Sequence, residues 1–409
     1  MPTDLISDRP DFERPHRSTV LAPPVLAPPV RLTVAGHFVR TRRVGGAEQM
    51  LYNLLQGFAV RGVDTTLMCG SQANLSDRFL TQFPASGLVR VRECGGTGVR
   101  FIAEQRACLT ENIVSDAMLF PNYFGPPFIP RRLGRVGVVI HDFQYRHFPE
   151  YFSAKKRAWL RMAQAFSIRK ADRVIVISDF VRQDAIRWFG DGIADKLSVV
   201  PNALCWDRFA DGMGQPRPGE RPYILSVAAQ YPHKNLETLI RAFAIVARGN
   251  SDIQLVLCGQ SYNGLHGVSG TRTGVAPLIE ELGLKDRVEL TGFVDDAMLA
   301  RWYQHAEMFA FPSIFEGFGL PPVEAIGFGL PTLTTAETAM PEITMGNAVT
   351  VSVPLDPEEW ADKIITILSD RDRYRPDSVA IANLKAFYDP ARIAAGYLAA
   401  LMGQAWPSK

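Results

Sequence analysis

MFAFPSIFEGFGLPPVEAIGFGLPTLTT, Met308 to Thr335, decides the fold. Its first residues are a short apolar run, the signature of a strand buried on both faces of a parallel sheet. Gly317 and Gly319 then open the backbone into a loop. Pro321 and Pro322 fix φ and lack an N–H, which suits the first turn of a helix. LPTLTT reads as the next strand. A strand, a helix and a second strand in so short a span argue for a parallel α/β sheet.

Working outward, the same alternation runs in both directions. PYILSV, QLVLCG and RVELTG read as strands, with a helix over Leu236 to Arg248 between the first two. Upstream, RLTVAGHF, TTLMCG, VGVVI, RVIVIS and KLSVVPNAL form a second series. Between the first two of these, Ala47, Met50, Leu51, Leu54, Leu55 and Phe58 fall on one face of a helix. Ser178 is a good N-cap for DFVRQDAIRWFG, and Gly190 a stop for it. The two series are separated by ADGMGQPRPGERP, Ala210 to Pro222, a linker by composition. The expected class is therefore α/β, with two Rossmann-like, doubly wound parallel-sheet domains and an interdomain cleft. The expected units are a disordered Pro-rich arm over 1–30, a first domain over 31–205, a second over 206–385 and a C-terminal helical segment over 386–409 packing back across the domains. VLAPPVLAPPV in the arm suits polyproline II and excludes a helix.

The 409 residues are 47% apolar and 21% charged, with a net charge of +2, which gives no bulk attraction to nucleic acid. Five cysteines without ligand spacing read as reduced, buried thiols of a cytoplasmic protein. No apolar run reaches the roughly 20 residues of a membrane span. The N-terminal residues do not read as a signal peptide.

In doubly wound sheets, ligands bind beyond the carboxyl ends of the strands. Five loops there carry candidate chemistry. Gly45-Gly46 opens a helix, where backbone N–H groups and the helix dipole favour an anion, although the same pair can be only a turn. His141-Asp142 follows VGVVI and points into the cleft. Pro232-His233-Lys234-Asn235 precedes a helix, and Lys234 offers an ammonium to a diphosphate; a cation in a first helical turn otherwise meets the wrong end of the dipole. In the Met308–Thr335 stretch, Glu316 and Glu324 stand eight residues apart, one carboxylate suited to a transferred sugar and the other to a ribose diol. Backbone amides of Phe318, Gly319 and Leu320 can bind hydroxyls or phosphate. Gly259, with Gly292-Phe293-Val294, can hold a nucleobase through main-chain groups.

At these residues the chain resembles the retaining glycosyltransferases of family 4, which share the GT-B fold. The matching pieces are GGAE (Gly45 to Glu48), His141-Asp142, ADRVIVIS, PNA (Pro201 to Ala203), PHKN, GFV, EGFGLPPVEA with its E-x7-E spacing, and Pro341-Glu342. The resemblance implies that Gly46 approaches the donor diphosphate and acceptor and that His141 contacts donor sugar or acceptor. It implies that Lys234 neutralises the diphosphate, Glu316 faces the sugar and Glu324 the ribose. Many relatives carry an Arg five residues before the Lys. Ala229 stands there in this chain, and His233 is the candidate to replace it.

The implied reaction is transfer of a hexose of mannose or glucose type from a nucleotide-diphosphate sugar to a glycan or lipid-linked acceptor, with retention, in polysaccharide assembly. No cofactor and no metal are expected. The alternatives are a sugar-nucleotide epimerase or phosphorylase on the same fold, and a non-catalytic two-domain sugar binder. FSAKKRAWLRMAQAFSIRK, Phe152 to Lys170, holds six cations and no acid. It is open to two readings: a basic amphipathic helix touching the inner face of an anionic membrane, or a helix whose Trp159, Met162 and Phe166 are core. Helical spacing suits the second at least as well.

Overall fold

The computed structural model describes residues 30–39, 46–71, 87–96, 99–260, 274–404 and 406. The Pro-rich arm up to residue 29 and Gly45 lie outside them. Two wholly parallel sheets form the architecture. The first has seven strands: β1 (Arg31–Ala35), β2 (Asp64–Cys69), β3 (Val89–Glu93), β4 (Ala117–Phe120), β5 (Arg135–Ile140), β6 (Arg173–Val176) and β7 (Leu197–Val199), in the order β3-β2-β1-β4-β5-β6-β7. The second has six: β8 (Tyr223–Val227), β9 (Gln254–Cys258), β10 (Val288–Gly292), β11 (Met308–Phe311), β12 (Thr332–Thr335) and β13 (Val349–Val351), in the order β10-β9-β8-β11-β12-β13. In each, the winding reverses beside the first strand, between β1 and β4 and between β8 and β11. The crevice at such a reversal is where this topology receives ligands.

The inner strands other than β4 are the continuous apolar runs legible in the sequence. β3, β4 and β13 were not expected. β3 is an edge strand with exposed Arg90 and half-charged pattern VRVRE, the kind of edge that resists pairing with another chain. β4 and β13 are short, with four and three residues. All five cysteines are buried and free.

The helix Gly46–Val60 buries more than its expected stripe, because Gln49, Tyr52 and Asn53 are also covered. Gln49 donates to Asn53 at 2.7 Å and Asn53 to the Ala203 carbonyl at 2.7 Å, while further along, the helix meets the last helix, Pro390–Met402, which returns to the first sheet. A Cβ at Gly57 would lie 2.0 Å from the Pro390 carbonyl oxygen, and one at Gly137 would lie 2.3 Å from Leu401.

The helix Ala154–Lys170 overturns the core reading of its aromatic residues. It buries Ala163, Gln164, Ser167 and Ile168. Trp159, Met162 and Phe166 are 39%, 66% and 37% exposed. The half-exposed Trp159 ring packs edge-on against buried Phe124, with centroids 4.7 Å apart. No helix among the described residues is long and apolar enough to cross a membrane.

The contact at Gly57 is testable. Gly57→Ala forces the last helix off its seat and should cost about 1–3 kcal/mol, the scale of overpacking. Gly249→Ala, at a helix end with nothing within 4 Å, serves as control. Urea midpoints that are equal in the two variants would show that the two helices do not pack this closely.

Candidate functional site

The loops after β8 and β11 flank the reversal of the second sheet, and they hold each other. Ile314 N–H donates to the His233 carbonyl at 2.9 Å, and Ser313 Oγ donates to the same oxygen at 3.2 Å. Thr335 Oγ1 in turn donates to Ser313 O at 2.8 Å. Pro232–Lys234 is one 3₁₀ turn, ended by Asn235 in the left-handed region at φ 52°. Asn235 tolerates that conformation because Thr238 Oγ1 donates to its Oδ1 at 2.7 Å and its own Nδ2 donates to Pro354 O at 2.9 Å. The helix Leu236–Gly249 starts only after this corner. Lys234 is therefore not in the first helical turn, as its sequence position had implied. It stands one turn earlier, where its ammonium donates to Glu316 Oε1, both side chains being largely enclosed.

Glu316 is set by its own backbone, whose N–H donates to Thr338 Oγ1 at 3.1 Å. Gly319 has φ 97° and caps the helix Leu320–Gly327, whose first turn contains Pro321 and Pro322 as expected. Since neither proline has an N–H, Gly319 and Leu320 supply the amides at this terminus. Phe318 is buried, edge-on to Tyr388 at 5.6 Å.

The first domain meets this loop directly. A Cβ at Gly317 would lie 1.8 Å from the His141 carbonyl oxygen, so only glycine fits. Ser178 is the expected N-cap, accepting from Val181 N at 3.2 Å, but its hydroxyl also donates across the cleft to Gly317 O at 2.7 Å. Glu342 crosses in the same place. Its carboxylate accepts from Asp179 N at 2.8 and 3.0 Å and from Phe180 N at 3.4 Å, closing the N-terminus of the helix Asp179–Phe189. Phe315 inserts among His147, Phe148 and Phe180, with ring centroids 4.9, 5.5 and 5.8 Å away.

The two histidines are neutral, and their tautomers follow from their partners. His141 is 8% exposed, and burial pushes its pKa down, opposed by its bond to Pro121 and by Asp142. Its Nε2 lies 2.8 Å from Pro121 O, an acceptor, so Nε2 carries the proton and Nδ1 is the acceptor. His233 Nδ1 is 2.7 Å from Gln144 Nε2, a donor, so its proton is on Nε2. Burial, then Lys234, drive the His233 pKa down to about 2. With no anion beside it among the described residues, His233 is thus neutral and offers an N–H. Asp142 is occupied with the chain itself, accepting from Tyr123 O–H at 2.5 Å and from Gln144 N at 2.9 Å. Tyr123 holds φ 66° and sets its ring against His141 at 5.2 Å.

Glu324 departs most from its sequence reading. It does not reach back to the loop as a free carboxylate. It is buried, with Arg208 Nη1 donating to Oε1 at 3.0 Å and Tyr303 O–H donating to Oε2 at 2.9 Å. Burial pushes its pKa up, while Arg208 and Tyr303 pull it down. Gly259 has φ 148° and donates to Gly292 O at 2.9 Å, which joins the loops after β9 and β10. Phe293 beside them is 56% exposed and Val294 half-buried. Gly46 is exposed, with nothing within 4 Å of a Cβ built on it.

Of the candidates, the structure brings His141, His233, Lys234, Glu316 and the Phe318–Leu320 backbone to one place. Glu324 lies one turn further along the helix that begins at Leu320, with its carboxylate held by Arg208 and Tyr303. Sequence reasoning missed Tyr123, Gln144, Thr338, Tyr303 and Arg208. Only turn signals around Tyr123 (PNYFGPP) marked any of them.

Comparison with known proteins covers both halves. Residues 44–205 match the profile of Glycosyltransferase Family 4, and residues 211–379 that of Glycosyl transferases group 1. The O-antigen chain mannosyltransferase B of Escherichia coli is 28% identical over 276 residues, 65% of this chain and 70% of that protein. The O-antigen chain mannosyltransferase RfbU of Salmonella typhimurium is 24% identical over 253 residues, 62% of this chain and 65% of that protein. The chain thus spans about two thirds of the length of these curated relatives. The sucrose-phosphate synthase of Thermosynechococcus elongatus superposes with a TM-score of 0.68 at 20% identity, over 89% of this chain and 96% of that one. At that identity the likeness is one of fold, and the fold is GT-B.

The buried neutral state of His233 makes stability depend on pH. The unfolded imidazole takes up a proton near its ordinary pKa of about 6.5, while the folded one does not until about 2. The unfolded state therefore binds more protons across that window, and stability falls as pH falls through it. Below about pH 6.5, His233→Gln should flatten the loss by a good part of the roughly 1.4 kcal/mol per pH unit that one group can contribute. Parallel stability–pH curves for the two proteins would place a proton on His233 in the fold.

Proposed function

The chain belongs to the glycosyl transferases of group 1 and family 4, and on that premise we propose a retaining, metal-independent hexosyltransferase. It takes a hexose of mannose or glucose type from a nucleoside-diphosphate sugar and passes it to a glycan or lipid-linked acceptor in polysaccharide assembly. The O-antigen mannosyltransferase likeness favours mannose over glucose. The observation that carries the reading is the pairing of Lys234 with Glu316 at the reversal of the second sheet, beside Gly317, whose backbone meets the His141 carbonyl of the first domain.

The roles follow from charge. As the bond between the sugar C1 and the phosphate oxygen breaks, its electron pair goes to the leaving diphosphate. The donor opens the Lys234–Glu316 pair; the ammonium turns to the diphosphate and the carboxylate is released to the sugar. The Gly319 and Leu320 amides and the neutral Nε2–H of His233 add hydrogen bonds on the same side. Such preorganised donors are most effective in a water-poor cleft. His141 accepts through Nδ1 and holds a sugar hydroxyl. The acceptor O–H attacks C1 from the face the diphosphate leaves, and its proton passes to the departing phosphate oxygen, so no enzymic nucleophile is required. Lys234 and the helix terminus supply the positive charge that a metal ion supplies elsewhere.

We also place the first domain against an anionic membrane surface. Lys155, Lys156, Arg161, Arg169 and Lys170 are exposed on the helix that also exposes Trp159, Met162 and Phe166. Each such cation contributes about 1 kcal/mol near anionic lipid.

The enzymatic reading is tested with UDP- and GDP-hexoses, following nucleotide release and the anomer formed. Lys234→Ala should lower turnover by at least about a hundredfold, as loss of one transition-state donor does. Glu316→Gln should block transfer and leave nucleoside diphosphate binding largely intact, and EDTA should change nothing. Full turnover in either variant removes that residue from the site, and an inverted product removes the front-face route. For the membrane contact, the protein should float with anionic liposomes at low salt and lose that behaviour on charge reversal at Lys155, Lys156 and Arg161. Recovery in the soluble fraction would show that the exposed face serves no lipid.

A further inference from the structure

The segment that joins the two domains carries a short 3₁₀ helix, Trp206–Gly212, and it is fastened hard to the second domain. A Cβ at Gly327 would lie 1.8 Å from the Trp206 ring, and one at Gly212 would lie 2.1 Å from Ala297 O. Trp206 thus rests on the helix that bears Glu324, and Gly212 on the helix Asp296–His305. Between these two points Arg208 is nearly enclosed, with 8% of its side chain exposed. Its Nε donates to Asp296 Oδ1 at 3.0 Å, and its Nη1 donates to Glu324 Oε1 at 3.0 Å. Tyr303 O–H closes the other carboxylate oxygen at 2.9 Å.

We propose that Arg208 is a positioning residue for donor binding: from the interdomain connector, its guanidinium fork holds the Glu324 carboxylate aimed and able to accept both hydroxyls of the donor ribose. The inference rests on the reading of Glu324 as the ribose acceptor. A carboxylate has about four lone-pair directions. Arg208 and Tyr303 use one on each oxygen, which leaves one per oxygen for a vicinal diol. The acceptor role needs the ionised form, since a protonated carboxyl turns one oxygen into a donor. The charged and titratable groups facing Glu324 are Arg208 on the connector and Asp296 and Tyr303 on the neighbouring helix. Arg208 is the one cation among them. Asp296 repels the negative charge and Tyr303 is a neutral donor, its own pKa pushed well up by burial and by Glu324. A lysine at 208 would keep the charge but, as a point donor, could not bridge Asp296 and Glu324 with fixed geometry.

The test measures binding of UDP and GDP, and of their 2′,3′-dideoxy forms, to the full chain by calorimetry. The wild type should prefer the ribonucleotide by at least about tenfold, because a site built around a hydroxyl rejects the analogue lacking it. Arg208→Gln should bring that ratio close to one. In that variant the ribo-to-dideoxy ratio should recover as pH is raised from about 6 to about 9 and Glu324 ionises, the ratio cancelling the ionisation of the diphosphate that both ligands share. Arg208→Lys, which keeps the buried charge if the Gln variant does not fold, should also lose most of the ratio. Equal weakening of ribo and dideoxy forms in either variant, with the preference kept, would overturn the proposal and leave Arg208 a plain structural residue. Glu324→Gln separates the two levels: if it keeps the ribose preference, the reading of Glu324 itself fails; if it loses the preference while the Arg208 variants keep it, only the role of Arg208 fails.

Discussion

Where the backbones of the two domains touch, between the His141 carbonyl and Gly317, there is room for a hydrogen atom and nothing larger. That contact fixes how the carboxyl ends of the two sheets face each other. Once it is made, Ser178 can reach Gly317 O, Gln144 can reach His233 and Phe315 can enter its aromatic setting. Each of these is a modest interaction, with neutral hydrogen bonds worth about 1 kcal/mol net. Together they act as one, because all depend on the same approach. A methyl group at Gly317 would have to push the His141 carbonyl aside and would strain every one of these contacts.

The charges in the cleft are arranged with the same economy. Lys234 and Glu316 satisfy one another in the absence of a ligand, so neither stands as an unpaired charge in a place with little water, a condition that would cost several kcal/mol. The histidines avoid the difficulty by staying neutral. Among the described residues gathered there, the charged donor is the Lys234 ammonium, accompanied by amide dipoles.

Most inner strands and the Gly-rich loop were legible in the sequence because their signals are local. Apolar runs, paired prolines and the glycine spacing each have a physical meaning within a few residues. β3, β4 and β13 were not legible, since three to five residues at an edge or in the interior carry too little pattern. The site was legible as a set of loops but not as a set of bonds. Arg208 and Glu324 are 116 positions apart, and Lys234 and Glu316 are 82 apart. Such pairs form only when the topology brings strand ends together. Trp159, Met162 and Phe166 failed for another reason. Helical spacing says which residues share a face, not whether that face looks inward.

Glu342 has a consequence for the physics of opening. The first amides of the helix Asp179–Phe189 form a built anion receptor, and the protein fills it with its own carboxylate from the opposite domain. A carboxylate tethered to one domain thus neutralises the helix dipole of the other, so any movement that parts the two must first give up several hydrogen bonds to a charged group at once.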